Sequence, residues 1–355
     1  MQLPREVCLL LVKRFGVWHT LTSLLFKPSY KCFIMKNFIF VIFLACIIAH
    51  TLTAEESLRH TLVMGDESRG FIHYLDQFNT NNNFSVKANR PVWDMKRISD
   101  NRYRYVHGNS FTVVDLKERK EVETFSDTKL TGLTSVCDLP DGGFLAATNQ
   151  KAVVPTNAAP VVVAVEAMKK KSEVSEKKCV VVYQYTAARQ LKARSVYEGL
   201  NNVRMMTVLP SGEILLAHND GVARCTLASE GSEQGKIVQS YKLPRAKNAY
   251  KAILRKEGGL WVGGGYACAL YAYADAGHVI KTFEAQQPAG LKNHFFGGLV
   301  EQANGNLMVA NWTGHGANDS KTGWQVIEFD AEGKVVWYLH DPVAYGSISG
   351  IDIIR

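Results

Sequence analysis

The sequence predicts an all-β protein, a single propeller of four-stranded antiparallel blades, and three observations carry that prediction. A phrase made of an alternating apolar run, a tight turn and a second run ending in small or polar residues returns along the chain. Its turn glycines Gly212, Gly258 and Gly305 stand 46 and 47 residues apart. A further pair of strand-like segments follows each phrase, and four strands per repeat is the composition of a propeller blade.

The phrase is clearest at Val136–Asn149, Met206–Asn219, Ala252–Gly264 and Leu299–Asn311, and a degenerate copy surrounds Ile98–Tyr105. Each copy reads as a hairpin with Gly or Asn where the turn needs a positive φ. The second pair of strands is exemplified by Trp324–Tyr338. Between Gly142 and Gly212 the spacing stretches to 70 residues, because an Ala-, Val- and Lys-rich insertion occupies about 151–178. Without it, residues 55–355 are close to six units of the repeat in length. The predicted blades are 92–127, 133–200, 203–244, 248–287 and 293–341. A sixth is shared between Leu58–Phe84 and Ser347–Ile354, so that strands from both ends close the ring and remove its exposed edges. Six blades is the prediction, with seven the alternative if the insertion hides strands.

Residues 1–54 read as an address rather than as fold. Lys36-Asn37 precedes twelve uninterrupted apolar residues, Phe38–Ala49, and Thr51–Ala54 leads into the acidic Glu55-Glu56. A basic start, an apolar core and small residues describe a secretory signal, with Met35 as the expected true start. Twelve residues are too few to span a bilayer comfortably, so no stable transmembrane span is expected after cleavage, and the predicted location is secreted or periplasmic. The charge agrees with this division. Of 41 basic and 33 acidic residues, six and one fall in 1–54, which leaves 35 against 32. The insertion holds six Lys and three Glu, so the remaining chain is neutral and shows no basic stripe for nucleic acid. Four cysteines lie beyond the signal, Cys137, Cys179, Cys225 and Cys268; no C-x-x-C pair occurs, and their spacings suggest one buried free thiol per repeat.

In a blade the loop between the second and third strands lies opposite the first turn, and loops on a rigid scaffold are where sites usually form. That face collects Tyr105, His107, Asn109, Asn149, His218, Asn219, Asp220, Tyr266, Asn311, Trp312 and His315. The starts of the innermost strands add Trp93, Asp94, Asn202, Arg204, Tyr250, Lys251, Asn293 and His294. The candidate ligand-binding set is Trp93, His107, Arg204, His218, Asn219, Lys251, His294, Asn311, Trp312 and His315. Arg204 and Lys251 supply positive charge, Trp93 and Trp312 offer faces to a sugar-like ring, and the four histidines are expected at one channel mouth. Histidines so gathered suit a divalent metal or general acid–base work, with His294 and His315 as the catalytic candidates. The lysine-rich insertion is a solvated flap, or a lid over the same face.

Asn304–Gly316, followed by Val335–Tyr338 and Asp341–Gly350, resembles the final blade of bacterial exported PQQ-like β-propeller proteins. The resemblance is specific over about 293–355 and generic, repeat by repeat, over 58–290. It implies a propeller and an envelope or extracellular life, and it carries no known activity. The recurring blade motif with a docking tryptophan of quinoprotein dehydrogenases does not occur, which argues against PQQ as a cofactor. The leading expectation is therefore a propeller that binds a small polar ligand, a glycan or a partner protein. The rivals are a metal- or histidine-dependent enzyme of the lactonase or lyase kind, and an envelope-assembly scaffold that binds through its blade sides.

Overall fold

The computed structural model describes residues 58–89, 91–151, 178–245 and 248–355. Over Arg59–Arg355 they form six four-stranded antiparallel sheets arranged as the blades of a propeller. Blade 1 contains β1 (Thr61–Asp66), β2 (Phe71–Asp76) and β3 (Phe84–Lys87). Blade 2 contains β4 (Trp93–Ser99), β5 (Arg102–His107), β6 (Ser110–Asp115) and β7 (Lys120–Ser126). Blade 3 contains β8 (Leu133–Asp138), β9 (Phe144–Lys151), β10 (Lys178–Tyr185) and β11 (Leu191–Glu198). Blade 4 contains β12 (Met205–Val208), β13 (Ile214–His218), β14 (Gly221–Thr226) and β15 (Lys236–Lys242). Blade 5 contains β16 (Ala252–Leu254), β17 (Leu260–Gly263), β18 (Ala269–Tyr273) and β19 (Val279–Glu284). Blade 6 contains β20 (Phe296–Glu301), β21 (Leu307–Asn311), β22 (Val326–Phe329) and β23 (Val335–Leu339). The last strand, β24 (Ile348–Ile353), returns to become the inner strand of blade 1, antiparallel to β1. Six blades, closed by both ends of the chain, is what the repeat predicted.

The recurring phrase folds the same way four times. Leu139, Leu209, Arg255 and Gln302 each accept a hydrogen bond from a glycine three residues on, Gly142, Gly212, Gly258 or Gly305. Those glycines have φ between 81° and 90°, the left-handed region that a side chain resists. Within a blade, burial follows composition. The middle strands β13, β18 and β21 are covered on both faces and are built from Ala, Leu, Val and similar residues. The outer strands β7, β15 and β19 carry Lys, Glu, Gln and Ser toward solvent, which blunts their open edges.

Six apolar clusters fill the six seams between neighbouring blades. Leu62, Met64, Met308, Ala310, Val326 and Ile348 pack the seam where blade 6 meets blade 1. Polar contacts reinforce that closure. His73 Nε2 lies 3.1 Å from Asp66 Oδ2, and the Gly346 amide donates to the same oxygen at 2.7 Å. Arg69 donates to the Ala317, Pro342 and Val343 carbonyls. Across the next strand, His60 Nε2 lies 2.7 Å from Glu328 Oε2, with both side chains buried.

The cysteines depart from one per repeat: Cys137 and Cys179 both belong to blade 3, because the insertion between β9 and β10 lengthens that blade alone. All four are free thiols, and burial pushes Cys225 up to about 12. Apart from Lys151 and Lys178, which end β9 and begin β10, the predicted lid lies outside the described residues, as do the signal and its cleavage region. Among the described residues no helix is long and apolar enough to cross a membrane.

Candidate functional site

One face of the ring carries a pocket of about 430 Å³. Every blade contributes to it: Glu67 and Ser349 from blade 1, Trp93, Asp94 and Gly108 from blade 2, Thr134 and Asn149 from blade 3, Asn202 and Arg204 from blade 4, Tyr250 and Tyr266 from blade 5, and Phe295, Trp312 and His315 from blade 6. These residues stand at the starts of inner strands or on second-to-third loops, so the ring's geometry gathers them on the axis.

One wall is aromatic. Tyr266, Phe295, Trp312 and His315 meet edge to face in series, with ring centroids 4.7, 5.9 and 4.7 Å apart. This arrangement suits ring quadrupoles and holds each side chain by its neighbour. Trp93, 39% exposed, and Tyr266, 54% exposed, remain open to solvent. Beneath the wall, buried Glu67 fixes two of its members. Trp312 Nε1 donates to Glu67 Oε2 at 3.0 Å, and His315 Nδ1 lies 2.9 Å from Glu67 Oε1. A proton on Nδ1 satisfies that contact and leaves Nε2 as the free lone pair of an otherwise exposed ring.

Asp94 lies opposite in the charge pattern. Its φ of 29° is unusual for a residue with a side chain, and the carboxylate is buried. Oδ2 accepts from Lys96 Nζ at 2.7 Å, Ser135 Oγ at 2.5 Å and the Val136 amide at 3.1 Å. Oδ1 is buried and, among the described residues, has no partner. The Arg204 backbone is tied to the Ala217 carbonyl at 2.8 Å. Its buried Nε has no partner, and no carboxylate among the described residues forms an ion pair with its guanidinium. Tyr250 feels both charges. Burial raises its phenol well above the usual range, Asp94 adds to that rise and Arg204 opposes it.

Of the ten predicted ligand-binding residues, Trp93, Arg204, Trp312 and His315 line this pocket together. The others are placed elsewhere. Asn311 is fully buried and clamps the chain: Oδ1 accepts from the His294 and Phe295 amides, and Nδ2 donates to the Trp324 carbonyl at 2.7 Å. Asn219 Oδ1 accepts from Asn202 Nδ2 at 2.6 Å, one link in an asparagine chain that continues to Asn248. His107 Nε2 pairs with Thr112 Oγ1 at 2.9 Å and His294 Nε2 with Thr322 Oγ1 at 2.8 Å. His218 is buried, and its Nδ1 faces the Asp220 amide. Burial lowers the pKa of both His218 and His294, which favours their neutral forms. The four histidines therefore do not share one mouth, since each of the other three is turned into its own blade's loop. Lys251 is not part of the lining. Tyr105 is buried between blades 1 and 2. Among the described residues, no group of three or more His, Cys, Asp or Glu side chains is arranged to hold a metal ion.

Among the lining residues that sequence reasoning missed are Glu67 and Phe295. Glu67 sits on the loop of the blade divided between the chain ends, where no complete repeat marks the loop. Phe295 adjoins the predicted His294, and strand alternation alone says that one of the two faces the axis.

No family model matches the chain, and no curated protein matches it. Solved structures do. A protein of unknown function from Bacteroides caccae is similar over 84% of this chain and all of its own, at 18% identity and a TM-score of 0.61. A chain of a nidogen/laminin complex is similar over 83% of this chain and 98% of its own, at 14% identity and a TM-score of 0.54. A protein from Lactobacillus plantarum covers 84% of this chain with its full length, at 13% identity and a TM-score of 0.51. At these identities the likeness is one of fold. The protein is a six-bladed β-propeller.

Proposed function

We propose that this propeller binds a small, hydroxyl-rich molecule carrying a carboxylate, with acidic sugars as the class that fits the mouth pocket. One observation carries the reading: Glu67 and the Oδ2 oxygen of Asp94 are held by protein donors, whereas among the described residues no carboxylate forms an ion pair with Arg204. Lys96, Ser135 and an amide occupy Asp94 Oδ2, and Trp312 and His315 occupy Glu67. An unpaired guanidinium in a part-buried pocket favours an anion, and its planar fork suits a carboxylate. The aromatic wall and the open Trp93 suit the C–H faces of a sugar ring, and Asp94 Oδ1 calls for a donor that no described residue supplies.

A glycan array with acidic and neutral members tests this. Binding is expected on uronate- or sialate-bearing glycans, weakened about tenfold or more by Trp93→Ala, which is roughly 1.4 kcal/mol. Uniform silence, or equal binding of neutral glycans, overturns it.

A second reading rests on His315. A histidine with Nδ1 on a buried carboxylate and Nε2 free has the form of an oriented general base, which supports an enzyme of the lyase or lactonase kind. Turnover of uronate polymers or sugar lactones that His315→Ala abolishes, with ligand affinity kept, would favour it. The resemblance to exported PQQ-like propellers and the apolar run Phe38–Ala49 support a secreted or periplasmic location. Amino-terminal sequencing of the protein from fractionated cells checks that, with a start near Glu55 expected and an intact N-terminus in the cytosol against it.

A further inference from the structure

We infer that Ser85, His73 and Asp66 form a nucleophilic triad on blade 1, able to transfer the acyl group of small carboxylic esters. None of the three lines the mouth pocket, and the triad does not rest on the ligand bound there. The sheet itself brings them together. Asp66 ends β1, His73 lies within β2 and Ser85 within β3, so three adjacent strands supply one member each. His73 stands directly opposite Ser85 in the β2–β3 register. Met64 stands opposite His73 in the β1–β2 register, and Asp66, two residues further on, is the diagonal neighbour of His73 on the same face.

The contacts run in the order a triad needs. Ser85 Oγ lies 2.7 Å from His73 Nδ1, and His73 Nε2 lies 3.1 Å from Asp66 Oδ2. Asp66 is buried and also accepts from the Ser68 hydroxyl and from the Arg69 and Gly346 amides. A carboxylate only accepts, so in the neutral ring the proton sits on Nε2 and Nδ1 keeps the lone pair. The Ser85 hydroxyl then donates to Nδ1, which is the bond of a nucleophile to its general base. Two aromatic neighbours hold the imidazole in place. Phe71 stacks on it with centroids 5.7 Å apart, and Tyr345 meets it edge-on at 4.9 Å. His73 is buried, whereas Ser85 is exposed on the outer strand of its sheet, so the base is shielded and the nucleophile is open.

Ser85 also carries a donor for the charge that develops. The Ala88 amide donates to the Gly70 carbonyl at 3.0 Å, which fixes the alternation of the β2–β3 ladder. Even-numbered residues of β3 turn their amides toward β2, and the Ser85 amide faces the open edge of the sheet. As Ser85 Oγ attacks the ester carbonyl carbon, its proton passes to His73 Nδ1 and the carbonyl oxygen becomes an oxyanion, with that amide as its donor. Collapse breaks the C–O bond to the leaving group, which takes the proton from Nδ1 and departs as the alcohol. Water then attacks the acyl-serine and gives a proton to Nδ1, and the second collapse returns it to Ser85 Oγ. Ester and water become acid and alcohol, with no oxidant or reductant. Asp66 touches no substrate; it is a positioning residue that keeps the His73 proton on Nε2.

Acetylation of the purified full-length protein by p-nitrophenyl acetate tests this, with peptide mapping to rank the serines by rate. Ser85 is expected to be acetylated about tenfold faster, or more, than the exposed Ser211 and Ser232. Ser211 is a stringent reference, because its hydroxyl donates to Glu213 Oε2 at 3.0 Å with no histidine between them. Ser85→Ala changes an exposed edge position, so it should keep the melting temperature and remove the fast phase of nitrophenolate release. Nitrogen-15 spectra of the histidine rings should place the His73 proton on Nε2. Asp66→Asn, whose amide can donate to Nε2, should move that proton to Nδ1 and slow acetylation of Ser85. The wild-type map and spectrum need no variant to fold. Ser85 modified no faster than Ser211, release from Ser85→Ala equal to wild type, or a wild-type His73 proton on Nδ1 overturns the proposal.

Discussion

Asp66 and Glu67 are neighbours in sequence, both buried, and each contacts a histidine, yet they serve different ends of the structure. Asp66 ends β1 and faces the seam. Its partners are buried His73, the Ser68 hydroxyl, the Arg69 amide and the Gly346 amide, which belongs to the returning end of the chain. Glu67 turns the other way, into the mouth, and holds two side chains from a blade 6 loop, one of them the largely exposed His315. The same acid–histidine contact is thus a latch in one place and a support for a pocket wall in the other. What separates them is the solvent exposure of the histidine and the nature of the remaining donors: backbone amides that cannot leave, or side chains facing solvent.

This contrast predicts unequal costs. Asp66→Ala leaves buried His73 Nε2 and the Gly346 amide without their partner and frees the part-buried Arg69 amide, and urea unfolding should show a loss of about 3–5 kcal/mol. Glu67→Ala should cost about 1 kcal/mol or less in the same assay, because an exposed histidine pair contributes little, while it loosens Trp312 and His315 and weakens ligand binding. Equal losses would break the comparison.

Asn311→Ala comes next, at about 2–3 kcal/mol, since it leaves the His294 and Phe295 amides and the Trp324 carbonyl without their partner inside the blade. A binding defect with unchanged stability would instead return Asn311 to the site.

Acid titration sharpens the latch. Burial raises the Asp66 pKa, but the bonds from His73, Arg69 and Gly346 outweigh it, so the folded value lies below 3.8. Glu328 is likewise held below 4.5, where bonds from His60, Asn306 and Gln302 outweigh burial. A carboxylate with a depressed folded pKa contributes stability that is fully present above its unfolded value and is lost as pH falls through the folded value. Unfolding free energy should therefore drop below about pH 4.5, and Glu328→Gln should flatten the slope. A slope unchanged in that variant would contradict the assignment.

The smallest effect concerns His218. Its folded pKa lies below 6.5 because of burial, so the unfolded chain takes up the proton first and stability declines as pH falls below 6.5. His218→Gln should remove only that shallow decline and leave ligand affinity intact.

The fold was legible because its signal is periodic. Gly142, Gly212, Gly258 and Gly305 mark the same turn in four blades, and the leftover strands at both ends form the divided sixth that the sequence favoured over seven. The site was legible in outline, since loop order placed Trp93, Arg204, Trp312 and His315 on one face. Which side chains on that face point inward was not. Asn311 and Asn219 have the residue type of ligand contacts, but Asn311 is spent on main-chain groups inside blade 6 and Asn219 accepts from the Asn202 amide, pairings that appear only once the loops of a blade are folded against one another. Glu67 was hidden for the opposite reason: its partners lie 245 and 248 residues away.

The central claim is that Arg204 is an anion site in an aromatic pocket. Calorimetric titration of the wild-type protein and of Arg204→Met with glucuronate, glucose and glucose phosphate tests it most directly. The account predicts measurable binding of glucuronate, at least tenfold weaker in the variant, with glucose weak and alike in both. Glucose phosphate binding as tightly as glucuronate would broaden the class from carboxylates to anions. Glucuronate binding that Arg204→Met leaves unchanged, or no binding of any of the three, would contradict it.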